Sequence, residues 1–168
     1  MHVLFVCTGN ICRSPTAERL VQAYAAERGL TVTAESAGTR AVVGHGVEAT
    51  ASDVLVSLGG SPDGFAARRL TADIAAKADV IVTMTARHRD GVLAVAPRKL
   101  RTTFTLLEAS ELAARTGSGD PAAWYRARVT APVAALDIDD PIGQSVVVFE
   151  SIGQQISDAL GPLLEVWE

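Results

Sequence analysis

Four consecutive apolar residues, Val3-Leu4-Phe5-Val6, run directly into Cys7-Thr8-Gly9-Asn10-Ile11-Cys12-Arg13-Ser14-Pro15. No other stretch of the chain restricts its fold so tightly. A short unbroken apolar run is the pattern of a strand buried on both faces, as in a parallel sheet. Ser14-Pro15 then opens a stretch to Arg28 in which Ala17, Leu20, Val21, Tyr24 and Ala25 recur at helical spacing. Strand, tight loop and helix start therefore follow one another without a linker. Gly9 and Asn10 are the residue types that tolerate left-handed backbone angles, so the loop can curl and turn its N–H groups inward.

The rest of the chain alternates strand-like and helical segments, the signature of an α/β sheet. Gly29 fits the C-terminal cap of the first helix. Leu30–Glu35 reads as a second strand, ended by Ser36-Ala37-Gly38-Thr39. Val47–Leu58 reads as a helix closed by Gly59-Gly60, and Thr71 as the cap of a short helix through Lys77. Asp79–Met84 is the third strand, Arg87–Ala96 a helix stopped at Pro97, and Leu100–Leu106 the fourth strand. Glu108–Arg115 is helical. From Thr116 to Pro141 the pattern weakens: a Gly117–Pro121 loop, Trp124 and Tyr125, an Ala-rich piece, then Asp137-Ile138-Asp139-Asp140-Pro141. A last helix is expected from about Gln144 to Leu160, weakened or ended by Gly161-Pro162. No repeat or linker divides the chain, so residues 1–168 are expected to form a single domain.

Fifteen Lys+Arg stand against 19 Asp+Glu, a net charge of −4. That balance, without a basic run, argues against nucleic-acid binding, which rests on many phosphate contacts. No apolar run is long enough for a membrane span. There is no signal-peptide pattern, and the two cysteines make no disulfide framework. A cytoplasmic, monomeric protein is expected. Thirteen arginines to two lysines hint at a GC-rich bacterial genome.

The loop chemistry points to an oxyanion. Backbone N–H groups at a helix N-terminus, with the positive end of its dipole, suit a phosphate. Arg13 adds a planar fork that can bind two oxygens and stays charged. The same donors, with the Ser14 hydroxyl, favour the thiolate of Cys7, the form that acts as nucleophile. Thr8, Gly9, Asn10, Ile11, Cys12 and Ser14 are therefore the candidate anion-binding residues beside Cys7 and Arg13. Three blander readings fit less well. A structural cysteine would not need Gly-Asn or an arginine. Half a zinc site lacks a second ligand pair, since His2, His45 and His88 show no ligand spacing. Both nucleotide glycine fingerprints are absent. No metal or cofactor is required.

Sulfur attack on a phosphate ester also needs a proton donor for the departing oxygen. His45 sits between two glycines and His88 among charged helix neighbours, and both read as structural or solvated. The Asp137, Asp139, Asp140 cluster is the better source, because carboxyls crowded by like charge and desolvated keep a proton more readily. On residues alone, Asp140-Pro141 is equally a helix N-cap with proline at the first helical position.

The loop Cys7–Pro15 resembles the active-site loop of the low-molecular-weight protein tyrosine phosphatases. Ser36-Ala37-Gly38-Thr39, the segment Arg69-Leu70-Thr71 through Met84, and Asp140-Pro141 resemble further motifs of that family, in the same order. The resemblance implies a three-layer sandwich, a central four-stranded parallel sheet flanked by helices. It implies hydrolysis of phosphotyrosine in proteins through a phosphocysteine, with Cys7 as nucleophile, Arg13 holding the phosphoryl oxygens, Asp140 as general acid and Asp139 as a tuning neighbour. It also implies that Cys12 can pair with an oxidised Cys7 and protect it; the plain alternative is a small residue filling the loop interior.

Substrate selection departs from the family pattern. Arg40-Ala41-Val42-Val43 and Ile142 stand where aromatics commonly flank the phosphotyrosine. Val42, Val43 and Ile142 could form an apolar wall instead, while Trp124 and Tyr125 are expected to pack on the core or surface. Ile11 occupies the position that is threonine in related arginine phosphatases and favours an aryl phosphate. A related arsenate reductase would need cysteines beyond Cys7 and Cys12. The remaining alternatives are a protein arginine phosphatase, a phosphatase for another small phosphomonoester, and a phosphoprotein-binding module without catalysis.

Overall fold

The computed structural model describes residues 1–134 and 136–168. Strands β1 (His2–Cys7), β2 (Thr33–Gly38), β3 (Val80–Thr83) and β4 (Thr103–Thr105) form one parallel sheet in the order β2-β1-β3-β4. Val3 to Val6 are wholly buried, as the unbroken apolar run requires of a central strand. Alternation along β1 divides the core in two. Val3, Phe5 and Cys7 face one layer with helices α1 (Arg13–Arg28), α5 (Leu106–Thr116), α6 (Pro121–Thr130) and α7 (Val146–Trp167). Leu4 and Val6 face the other, with α3 (Ala72–Lys77) and α4 (Ala86–Val95). Helix α2 (Ala49–Ser57) sits at the side, where Ala51 and Val54 meet Cys12 and Phe149. The result is the expected four-stranded parallel sheet flanked by helices.

Local signals explain most boundaries. Gly29 caps α1 with φ 67°, and the Thr71 hydroxyl accepts the Ile74 N–H at the start of α3. The second strand begins later than expected and runs through Ser36-Ala37-Gly38 rather than ending there. Those residues pair with Phe5, Val6 and Cys7, and Gly38 is small because a Cβ would strike the Thr8 carbonyl oxygen. The fourth strand is only Thr103–Thr105. Pro97–Thr102 winds into a 3-10 turn before it, and Thr105 starts α5 through a capping box with Glu108.

Two helices correct the sequence reading. Part of the weakly patterned region is α6, with Asp120 as N-cap and Pro121 at its first position. Its Trp124 is wholly buried against Phe104 and Trp167, and Tyr125 packs against the same core. Ala135, in the Ala-rich piece, lies outside the described residues. Helix α7 continues through Gly161-Pro162 to Trp167. An interior proline costs about 3 kcal/mol, but Leu163 and Leu164 beyond it are buried. Each buried leucine contributes about 1.5–3 kcal/mol, enough to carry the helix past the proline.

Candidate active site

β1 ends at Cys7, and the chain turns through residues 8–12 into α1. The turn is held open from outside. The carbonyls of Cys7, Thr8, Gly9 and Ile11 accept the N–H groups of Thr39, Arg40, Val42 and Glu48 at 2.7–2.9 Å, and that of Cys12 accepts Thr16. Among the described residues, no N–H from Thr8 to Ser14 donates to a protein acceptor. α1 likewise starts at Cys12 without a side-chain cap. A ring of free N–H groups converging on a helix N-terminus is an anion cradle.

Asn10 maintains the curl. It is wholly buried, and is the one described non-glycine residue with positive φ, 57°. Its Oδ1 accepts the Arg68 N–H at 2.8 Å, which fixes the amide orientation. Its Nδ2 then donates to Ser36 Oγ at 2.8 Å and to Ser14 Oγ at 3.0 Å. Ser36 in turn donates to Glu18 Oε2. Each hydroxyl oxygen receives one N–H from Asn10, so the Ser14 proton is left for Cys7 Sγ, 2.9 Å away. Toward a Cys7 thiolate, which can only accept, Ser14 is the donor. Burial raises the Glu18 carboxyl above the ordinary range, against the opposing hydrogen bond from Ser36.

Arg13 is buried. Its guanidinium donates to the Ile138 carbonyl at 2.8 Å and lies 3.3 Å from Asp140 Oδ2. The Asp loop is anchored separately: the Ile138 N–H bonds the Met84 carbonyl at the end of β3, and Asp137 Oδ1 accepts the Ala86 N–H at the start of α4. Asp140 does not cap a helix. Its Oδ1 accepts the Ile142 N–H within the turn, and its side chain is half exposed. Asp137 is thus an anchor, while Asp139 is exposed. Cys7, Thr8, Gly9, Ile11, Cys12, Arg13, Arg40, Val42, Asp140 and Ile142 line one cleft of about 250 Å³. Val42 and Ile142 do form an apolar wall; Val43 is outside it, 70% exposed.

The two cysteines differ. Cys12 is buried among Ala51, Val54 and Phe149, and desolvation, with the neighbouring Cys7, pushes its thiol up to about 12. It stays protonated at neutral pH. His88 is buried rather than solvated, and its Nε2 lies 2.8 Å from Thr8 Oγ1. Burial, and then the charge of Arg13, push it down to about 4, so the ring is neutral. His88, Ser36, Glu18, Arg68 and Arg40 are the residues at the site that sequence reasoning missed. All but Arg40 act through contacts distant in sequence; Arg40 could have been found as the cation following the Ser-Ala-Gly-Thr motif.

The family described as low molecular weight phosphotyrosine protein phosphatase matches residues 2–129. The chain belongs to that family. The low molecular weight protein-tyrosine-phosphatase Etp of Escherichia coli is 45% identical over 95 residues, covering 56% of this chain and 62% of its own length. The chain thus spans about three-fifths of that relative. Wzb of Vibrio vulnificus, solved with benzylphosphonate, is 25% identical with a TM-score of 0.73, over 94% of this chain and 92% of that one. The YwlE arginine phosphatase, solved as a cysteine-to-serine variant with phosphate on its active-site serine, is 25% identical with a TM-score of 0.77, over 97% and 93%. The matched family region ends before Asp140, so the placing of that residue rests on the geometry above.

Proposed function

We propose that this chain is a protein tyrosine phosphatase working through a phosphocysteine. The observation carrying the reading is that Cys7, Arg13 and Asp140 line one cleft together with Thr8, Gly9, Ile11 and Cys12, whose N–H groups donate to no protein acceptor among the described residues. In the first step the Cys7 thiolate attacks phosphorus in line. The bond from phosphorus to the phenolic oxygen breaks, and Asp140 gives that oxygen its proton. In the second, Asp140 takes a proton from water, the hydroxide oxygen bonds to phosphorus, and the P–S bond breaks to return the thiolate. Arg13 and the N–H groups of Thr8 to Ser14 hold the other phosphoryl oxygens throughout, and the Ser14 proton stabilises the departing thiolate.

The oxyanion site accords with relatives in this family: the Vibrio protein binds benzylphosphonate, an aryl-like phosphonate, and YwlE carries a phosphorylated active-site serine when its cysteine is replaced. Ile11, Val42 and Ile142 offer an apolar approach suited to a phenyl ring. The similarity to YwlE makes phosphoarginine the competing substrate. No described helix is long and apolar enough to cross a membrane. The proposed working form, a separate part of this reading, is a cytoplasmic monomer acting on tyrosine-phosphorylated proteins. Parallel assays of phosphotyrosine and phosphoarginine peptides test the reading. Faster turnover of phosphotyrosine is expected, and exclusive turnover of phosphoarginine would overturn it.

A further inference from the structure

A second cleft, about 310 Å³, adjoins the first and is lined by Thr8, Thr39, Arg40, Arg87, His88 and Gly91. Thr8 and Arg40 belong to both clefts. Its charged lining is entirely cationic, in a chain whose net charge is −4. Arg40 and Arg87 are exposed, and among the described residues neither forms an ion pair. Arg13, Arg89 and Arg68, by contrast, are paired with Asp140, Glu108 and Glu35. His88 is 5% exposed, with Nε2 at Thr8 and a buried Nδ1 that has no hydrogen-bond partner. A buried unpaired ring nitrogen is costly and invites a ligand atom or a bridging water.

We infer that this second cleft is a subsite for an anionic side chain of the substrate, placed within a few residues of the phosphorylated one, so that the enzyme selects acidic sequence contexts. The shared Arg40 sets the geometry: a peptide with its phosphoryl group at Cys7 passes Thr8 and Arg40 to bring a neighbouring side chain between Arg40 and Arg87. The chemistry there is two guanidinium forks, suited to a carboxylate or a second phosphate. It also supplies selectivity where the apolar wall is aliphatic and shallow.

The inference rests on the phosphatase reading, and the test separates the two. Phosphotyrosine peptides carrying flanking Glu, flanking phosphoserine or flanking Gln are compared for kcat/KM with the native enzyme, and for binding by calorimetry with Cys7→Ser, which needs no turnover. A preference for the anionic peptides of about fivefold is expected, the size of a solvent-screened ion pair. That ratio should fall towards one in Arg87→Ala and in Arg40→Ala. A Glu preference with no further gain from phosphoserine identifies a carboxylate subsite, and a larger phosphoserine gain a second-phosphate subsite. Equal binding of Glu, phosphoserine and Gln peptides, or a preference that survives both arginine variants, overturns the inference. Absent turnover with the binding preference intact overturns only the phosphatase reading.

Discussion

Replacing Asn10 with alanine removes the side chain that holds the loop open, and the structure sets the size of the effect. Asn10 makes three hydrogen bonds, to Arg68 N, Ser36 Oγ and Ser14 Oγ, and sits at φ 57°. Each bond contributes about 1 kcal/mol net, and an alanine held at a left-handed angle costs about 1–2 kcal/mol. A loss of about 4–5 kcal/mol follows, a large part of the 5–15 kcal/mol by which a domain of this kind is stable. Asn10→Gly loses the same hydrogen bonds but tolerates the angle, so it should be about 1 kcal/mol less destabilised. Urea unfolding of both variants measures this, and kcat/KM on an aryl phosphate measures the loop. With the N–H groups no longer fixed and the Ser14 proton no longer directed at Cys7, activity should fall about a hundredfold in both. An Asn10→Ala protein with unchanged unfolding midpoint and undiminished kcat/KM would show that Asn10 does not hold the loop.

Three further outcomes follow from burial. His88 has a folded pKa of about 4 against an ordinary 6.5, so below pH 6.5 the unfolded chain takes up a proton that the native one refuses. Stability should therefore fall as pH drops from 6.5 towards 4, by up to about 3 kcal/mol; a His88→Gln variant followed by urea titration at several pH values should lose that slope, and an identical slope would count against a buried neutral ring. Cys12, with its thiol pushed up to about 12, should resist iodoacetamide at neutral pH while Cys7 reacts, and mild peroxide should give a Cys7–Cys12 disulfide by mass spectrometry; persistent sulfinic acid on Cys7 with Cys12 unreacted would exclude the protective pairing. Trp124→Ala should cost about 3–5 kcal/mol in urea unfolding because the ring is wholly buried; a loss under 1 kcal/mol would contradict its place in the core.

Local features of the chain were legible where one residue type answers one backbone demand. The Val3–Val6 run is buried on both faces because it is central, and Gly29 and Thr71 cap the helices they flank. The strand Thr33–Gly38 was misplaced because its small polar end, Ser36-Ala37-Gly38, is chosen for contact with the loop rather than for strand propensity. Asp120-Pro121 carried a helix-start signal that the glycine-rich loop before it obscured. At the site, Cys7 and Arg13 share one loop, so spacing alone brings them together. Asp140 came from family resemblance, since its own residues suit a helix cap equally well. Ser36, Glu18, Arg68 and His88 reach the loop from elements 18 to 80 residues from their partners. Only the folded sheet brings them together, and no local pattern announces them.

In the proposed mechanism Cys7 becomes phosphorylated and Asp140 completes the turnover. Asp140→Asn, mixed with p-nitrophenyl phosphate in the presence of chelator and acid-quenched, separates the two steps. The good leaving group spares the first step, whereas the second still needs a base, so a phosphoryl group should accumulate on the Cys7 peptide in mass spectrometry. Steady turnover should fall by about 10²–10⁴, and Cys7→Ser should release no nitrophenol. Turnover by Cys7→Ser at the native rate, or a phosphoryl group found on any residue but Cys7, would rule out a phosphocysteine at Cys7.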